Sequence, residues 1–128
     1  VSPSVQYALA AMFKAASDGE LDFVADTSEY ARRAAITKNI CLDNGFHIVY
    51  SKDGDEDVSD GFFYTVGYKD MSGAVLMREL MLTGICSISL SLTGSAQAGV
   101  RICVSQLNRP EQLDLLENRL GLFASSHP

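Results

Sequence analysis

At Gly45 the spacing of apolar residues changes, and that change limits what the chain can fold into. From Phe46 onward apolar residues alternate: Phe46, Ile48 and Tyr50 point to one side, and His47, Val49 and Ser51 to the other. Phe62, Tyr64, Val66 and Tyr68 oppose Phe63, Thr65 and Gly67 in the same way. A period of two with aromatic and β-branched residues is a strand signal and cannot be satisfied by a helix. The stretch between, "KDGDEDVSDG", is rich in the Asp and Gly that supply turn conformations, so the two runs read as a hairpin with a long acidic loop.

A second alternating pair follows. In "ICSISLSLTG", Cys86, Ile88, Leu90 and Leu92 are expected inward and Ser87, Ser89 and Ser91 outward. "GVRICVSQL" repeats the pattern with Val100, Ile102 and Val104, and "TGSAQAG" closes a second hairpin.

Helical periods fill the rest. Ser2 as N-cap and Pro3 at the first helical position open a helix over 3–18, with a stripe of Val5, Leu9, Met12, Phe13 and Ala16 expected to pack on the sheet. "LDFVAD" (21–26) reads equally as a short strand or an extended connection. Asp26 and Glu29 resemble a capping box for a second helix over about 28–42, stopped by Asn44 and Gly45. Ser72 caps "GAVLMRELMLT", apolar around most of its circumference. Asn108, Pro110 and Glu111 open a last helix to about Ala124 with a core stripe of Leu113, Leu116, Leu120 and Phe123. The expectation is a single α+β domain over 1–128, an antiparallel sheet of about four strands (two hairpins) with three to four helices, in the order ααββαββα.

Composition narrows the function. Ten basic against sixteen acidic residues give a formal net charge of −6, which repels a phosphate backbone, so nucleic acid is not an expected partner. Arg32, Arg33 and Lys38 read as a wet helix face. The apolar runs are far short of a membrane span. The three cysteines, Cys41, Cys86 and Cys103, show no CxxC spacing, and Cys86 and Cys103 read as small buried hydrophobes. With no basic stretch followed by an apolar one at the start, a reducing cytoplasm is the expected compartment.

Asp53, Asp55 and Asp57 occupy alternate positions as in a calcium loop, but Val58 stands where the turn glycine belongs and Tyr64 where the bidentate glutamate belongs. No metal and no cofactor is expected. The chain contains no P-loop, no dinucleotide fingerprint and no serine-nucleophile or zinc-protease motif, so no catalytic residue is assigned. His47 is the histidine expected to be ordered, His127 being penultimate.

Residues 36–76 carry a resemblance. Asn39, Ile40, Gly45, Phe46, His47, Ile48 and Val49, then Phe62, Tyr64, Thr65, Val66 and Gly67, resemble the "NI…GWHVV" and "F.YTVGL" segments of an uncharacterised bacterial family, number 4262 among the domains of unknown function. Phe46 stands where that family favours Trp, and Tyr68 where it favours Leu. The resemblance implies a shared ligand pocket of His47, Tyr64 and Thr65. The element order also resembles class I type III secretion chaperones, which implies a homodimer that wraps an extended client on apolar grooves.

The resulting expectation is a small acidic protein-binding module, chaperone-like or immunity-like and homodimeric, not an enzyme. Met77 and Met81, on a helix apolar on too many sides for one sheet contact, are its expected partner-binding residues. The alternative is a small-molecule-binding protein or unassigned enzyme using a pocket near His47 and Tyr64.

Overall fold

The computed structural model describes residues 2–22, 27–58 and 62–128. Its elements run α1 (Pro3–Ser17), α2 (Thr27–Asp43), β1 (Phe46–Ile48), β2 (Lys52–Asp53), β3 (Glu56–Asp57), β4 (Phe63–Tyr68), α3 (Gly73–Leu82), β5 (Ile88–Ser89), a 3-10 turn (Leu90–Thr93), β6 (Val100–Cys103) and α4 (Pro110–Ser126). The fold is α+β, with the strands β1-β4-β6-β5 side by side and every pairing antiparallel. Between β1 and β4 the acidic loop rises into its own two-residue ribbon, β2 against β3, clipped by an ion pair of 2.7 Å from Lys52 Nζ to Asp57 Oδ1. The expected strand at 21–26 and the Asp26 cap lie largely outside the described residues.

One face of the sheet is the core. Phe46, Tyr64, Val66, Tyr68, Val100 and Ile102 project from the strands into one cluster with Ala34, Ile40 and Cys41 of α2, Leu76 and Leu80 of α3, and Leu116, Leu120 and Phe123 of α4. Ser72 caps α3 as expected, its hydroxyl accepting from the Val75 amide. The last helix is capped one residue later than expected: the Gln112 side chain accepts from the amides of Asn108 and Arg109, each at 3.0 Å.

The phase of β5 is the reverse of the expected one. Ser89 is buried and Ile88, Cys86 and Leu92 are exposed. The reason is the close approach of α3: a Cβ at Gly73 would meet the Gly99 carbonyl oxygen and lie 2.5 Å from Ser89 Oγ. Only a small side chain fits under the start of α3, so Ser89 turns inward. Leu90 regains the core because the 3-10 turn begins there and breaks the alternation. Cys86 and Cys103 are accordingly not core residues; Cys41 is the fully buried thiol.

Two termini differ from expectation in opposite senses. The apolar stripe of α1 is not buried in the core: no α1 residue is buried, and Val5 and Phe13 are 51% and 65% exposed. His127 is packed, its ring stacked on Phe123 at 4.4 Å with Nδ1 2.9 Å from the Phe123 carbonyl oxygen. The Tyr68 hydroxyl and Lys69 Nζ both donate to the His127 carbonyl, tying the end of α4 to the β4–α3 turn.

Candidate functional site

Helices α2, α3 and α4 pack on one side of the sheet, and the other side is uncovered among the described residues. Register arranges that open face in rows. Thr65 is opposite Arg101, and Arg101 opposite Ile88. The Val49 amide donates to the Thr65 carbonyl at 2.8 Å, extending the row to Val49–Thr65–Arg101–Ile88. On one side of this row lie His47 and Gly67; on the other, Phe63 and Cys103.

The structure therefore separates the three residues expected to share a pocket. His47 and Thr65 are on the open face. Tyr64, one residue from Thr65, points the other way and is buried under the helices. His47 lies across Gly67: a Cβ there would fall 2.5 Å from Nε2, so glycine is what lets the imidazole rest flat on the sheet. Thr65 Oγ1 accepts from the Tyr50 amide at 3.2 Å, which leaves its hydroxyl proton free to donate outward.

Arg101 is the residue that sequence reasoning missed. Its guanidinium carbon is 4.3 Å from the centroid of the Phe63 ring, and the residue is half-buried. The other half-buried arginines have partners: Arg33 pairs with Glu29 at 2.9 Å, and Arg119 Nη1 donates to the Gly84 carbonyl at 2.6 Å. Arg101 has no ion pair or hydrogen bond from its side chain among the described residues, in a chain with an excess of acids. The signal was present in "GVRICVS", where one charge interrupts an apolar strand at an outward position. A planar cation with a fixed donor fork, stacked on an aromatic ring and flanked by a hydroxyl, is suited to a carboxylate or similar oxyanion.

The expected partner-binding methionines divide. Met77 packs against the core, while Met81 is exposed, as are Val75 and Leu82 of the same helix. The acidic ribbon projects Asp53, Glu56 and Asp57 into solvent. Lys52 holds the Asp57 carboxyl below its ordinary range through a hydrogen bond and charge attraction. Among the described residues no group of three or more His, Cys, Asp or Glu is placed to hold a metal ion, and no helix is long and apolar enough to cross a membrane. No protein-family model matches the chain, and no curated protein sequence matches it.

Proposed function

We propose that this chain works by binding, that the open face of its sheet is the working surface, and that the group it receives there is a carboxylate or comparable oxyanion held by Arg101. The observation that carries this reading is the half-buried guanidinium on Phe63, which has no ion pair among the described residues. A charge held partly out of water without a partner is costly, and a bidentate oxyanion offsets that cost. Thr65 supplies a second donor, His47 a third group that donates or accepts, and Val49, Phe63 and Ile88 an apolar bed for the carbon body of a small ligand. Acetate, succinate and inorganic phosphate are the probes for a thermal-shift test. A rise in Tm with a carboxylate that disappears in Arg101→Ala supports the reading, since a ligand of the native state stabilises it. No rise, or an equal rise in the variant, overturns it.

A second reading is favoured by a separate observation, the largely exposed apolar stripe of α1. A helix of this length is marginal alone and draws most of its stability from packing, so a partner surface is its natural complement. In this reading the chain is a protein-binding module, chaperone-like or immunity-like or a homodimer, with Met81, Val75 and Leu82 of α3 as a further apolar contact. The two readings are compatible, because a ligand on an open sheet needs a second surface to exclude water. The three unpaired thiols suit a reducing, cytoplasmic setting. Light scattering after size exclusion tests the homodimer: a dimer mass that falls to a monomer in Phe13→Asp supports it, and a monomer at all concentrations rejects it.

A further inference from the structure

Cys86 lies two residues before β5, and Cys103 is the last residue of β6. The register pairs Ile88 with Arg101 and Ser89 with Val100, and on the far side the Leu90 amide donates to the Gly99 carbonyl at 3.0 Å. Extended two residues beyond the start of β5, the same register would set Cys86 opposite Cys103. Burial supports an extended backbone that far, since it alternates from Ile85 (buried) through Cys86 (exposed), Ser87 (half-buried) and Ile88 (exposed) to Ser89 (buried). Both cysteines also line one groove of about 390 Å³ with Gly84, Gln106, Leu115 and Arg119.

Directly opposed residues of an antiparallel pair have Cα atoms about 4.5–5.5 Å apart, and disulfides form across about 4.4–6.8 Å. Hydrogen-bonded and non-hydrogen-bonded positions alternate along the ladder. The paired ladder ends at Ile88–Arg101, and two residues further on Cys86 and Cys103 border one groove with no backbone hydrogen bond between them, so a disulfide there would extend the ladder by one covalent rung.

We propose that Cys86 and Cys103 are a redox-modification site that closes into a reversible cross-strand disulfide by exchange with a small-molecule disulfide such as oxidised glutathione. Cys86, the exposed thiol, attacks as its thiolate and displaces one glutathione thiol, leaving a mixed disulfide. Cys103, half-buried with its sulfur 2.9 Å from Ser105 Oγ, then attacks the Cys86 sulfur and displaces the second. Two protein thiols lose two protons and two electrons, the glutathione disulfide gains them, and one S–S bond is exchanged for another. The bond anchors β5, an edge strand of two paired residues, two positions from Arg101. Cys41 is a spectator: burial pushes its thiol up to about 12. This inference is independent of the carboxylate reading.

The test is to incubate the native protein with oxidised glutathione, quench with acid, alkylate, digest with trypsin and map disulfides by mass spectrometry. Cleavage after Arg101 separates the two cysteines, so the expected result is a linked pair of peptides, one with Cys86 and one with Cys103, that dithiothreitol releases. In Cys103→Ser the mixed disulfide on Cys86 should accumulate instead. Glutathione on both cysteines without a linked peptide, a link between chains, or unmodified thiols would each overturn the proposal, and the wild-type measurement stands even if a variant fails to fold.

Discussion

Phe63 and Arg101 sit on neighbouring strands with the guanidinium carbon 4.3 Å from the ring centroid, on the side of the sheet away from every packed helix. The ring fixes the cation without neutralising it. A half-exposed cation–π contact is worth about 0.5–1 kcal/mol. Phe63→Leu should therefore weaken carboxylate binding roughly twofold to fivefold while Arg101→Ala abolishes it, and neither should cost more than about 1 kcal/mol in urea unfolding. Calorimetric titration of wild type and the two variants with succinate measures this, and equal affinity across all three would refute it.

Phe123 is the hub of the aromatic cluster under the sheet. Its ring centroid lies 5.4 Å from that of Phe46, 5.0 Å from Tyr68 and 4.4 Å from His127, and it is fully buried. Phe123→Ala removes the hub and leaves a cavity, with an expected loss of about 3–5 kcal/mol in urea unfolding. His127→Ala removes one stacked ring at the half-buried edge and should cost about 0.5–1.5 kcal/mol. A smaller loss for Phe123→Ala than for His127→Ala would show the cluster to be wrongly assigned.

Gly73 sets how closely α3 approaches β5 and β6. Alanine normally favours a helix over glycine by about 1 kcal/mol, but here the added methyl meets the Gly99 carbonyl and Ser89 Oγ. Backbone cannot yield as a flexible side chain does, so Gly73→Ala should be net destabilising by about 1–3 kcal/mol, the cost of overpacking. A stabilised variant in thermal unfolding would contradict the packing described.

Glu29 gives a pH dependence of definite sign. Hydrogen bonds from Arg32 Nε at 2.8 Å and Arg33 Nε at 2.9 Å pull its carboxyl down to about 2. Because the folded value lies below the unfolded one, the contribution is fully present above the ordinary glutamate range. It is lost as the pH falls from there through about 2. The side chain is 42% exposed, so the effect is local to the first turn of α2. A carbon-detected NMR titration should find Glu29 still ionised where free glutamate is half protonated, and Arg32→Ala should raise its midpoint. A midpoint in the ordinary range would dismiss the Arg32–Glu29–Arg33 bridge.

How much of this was readable in advance depends on whether the cause is local. The change of period at Gly45, the Ser72 cap and the Leu116–Leu120–Phe123 stripe follow from neighbours in sequence, and the structure has them as expected. The phase of β5 was not readable, because the alternation of serine with Ile and Cys is satisfied either way. What decides it is the arrival of α3 at Gly73. Tyr64 and Thr65 illustrate the same limit, since alternation says that they face opposite ways but not which face the helices cover. Arg101 was in plain view, yet a charge within a strand acquires meaning only once its neighbours across β4 and β5 are known. The stripe of α1 was legible as a stripe, but none of its residues is buried against the sheet.

The most direct measurement is an NMR titration of the labelled protein with succinate, following the Arg101 Nε–Hε resonance and the amides of Thr65, Arg101 and Ile88. The account predicts saturable shifts confined to the row Val49–Thr65–Arg101–Ile88 and its neighbours Phe63 and His47, absent in Arg101→Ala. Shifts that cluster instead on the helical side, or that persist unchanged in Arg101→Ala, would contradict it.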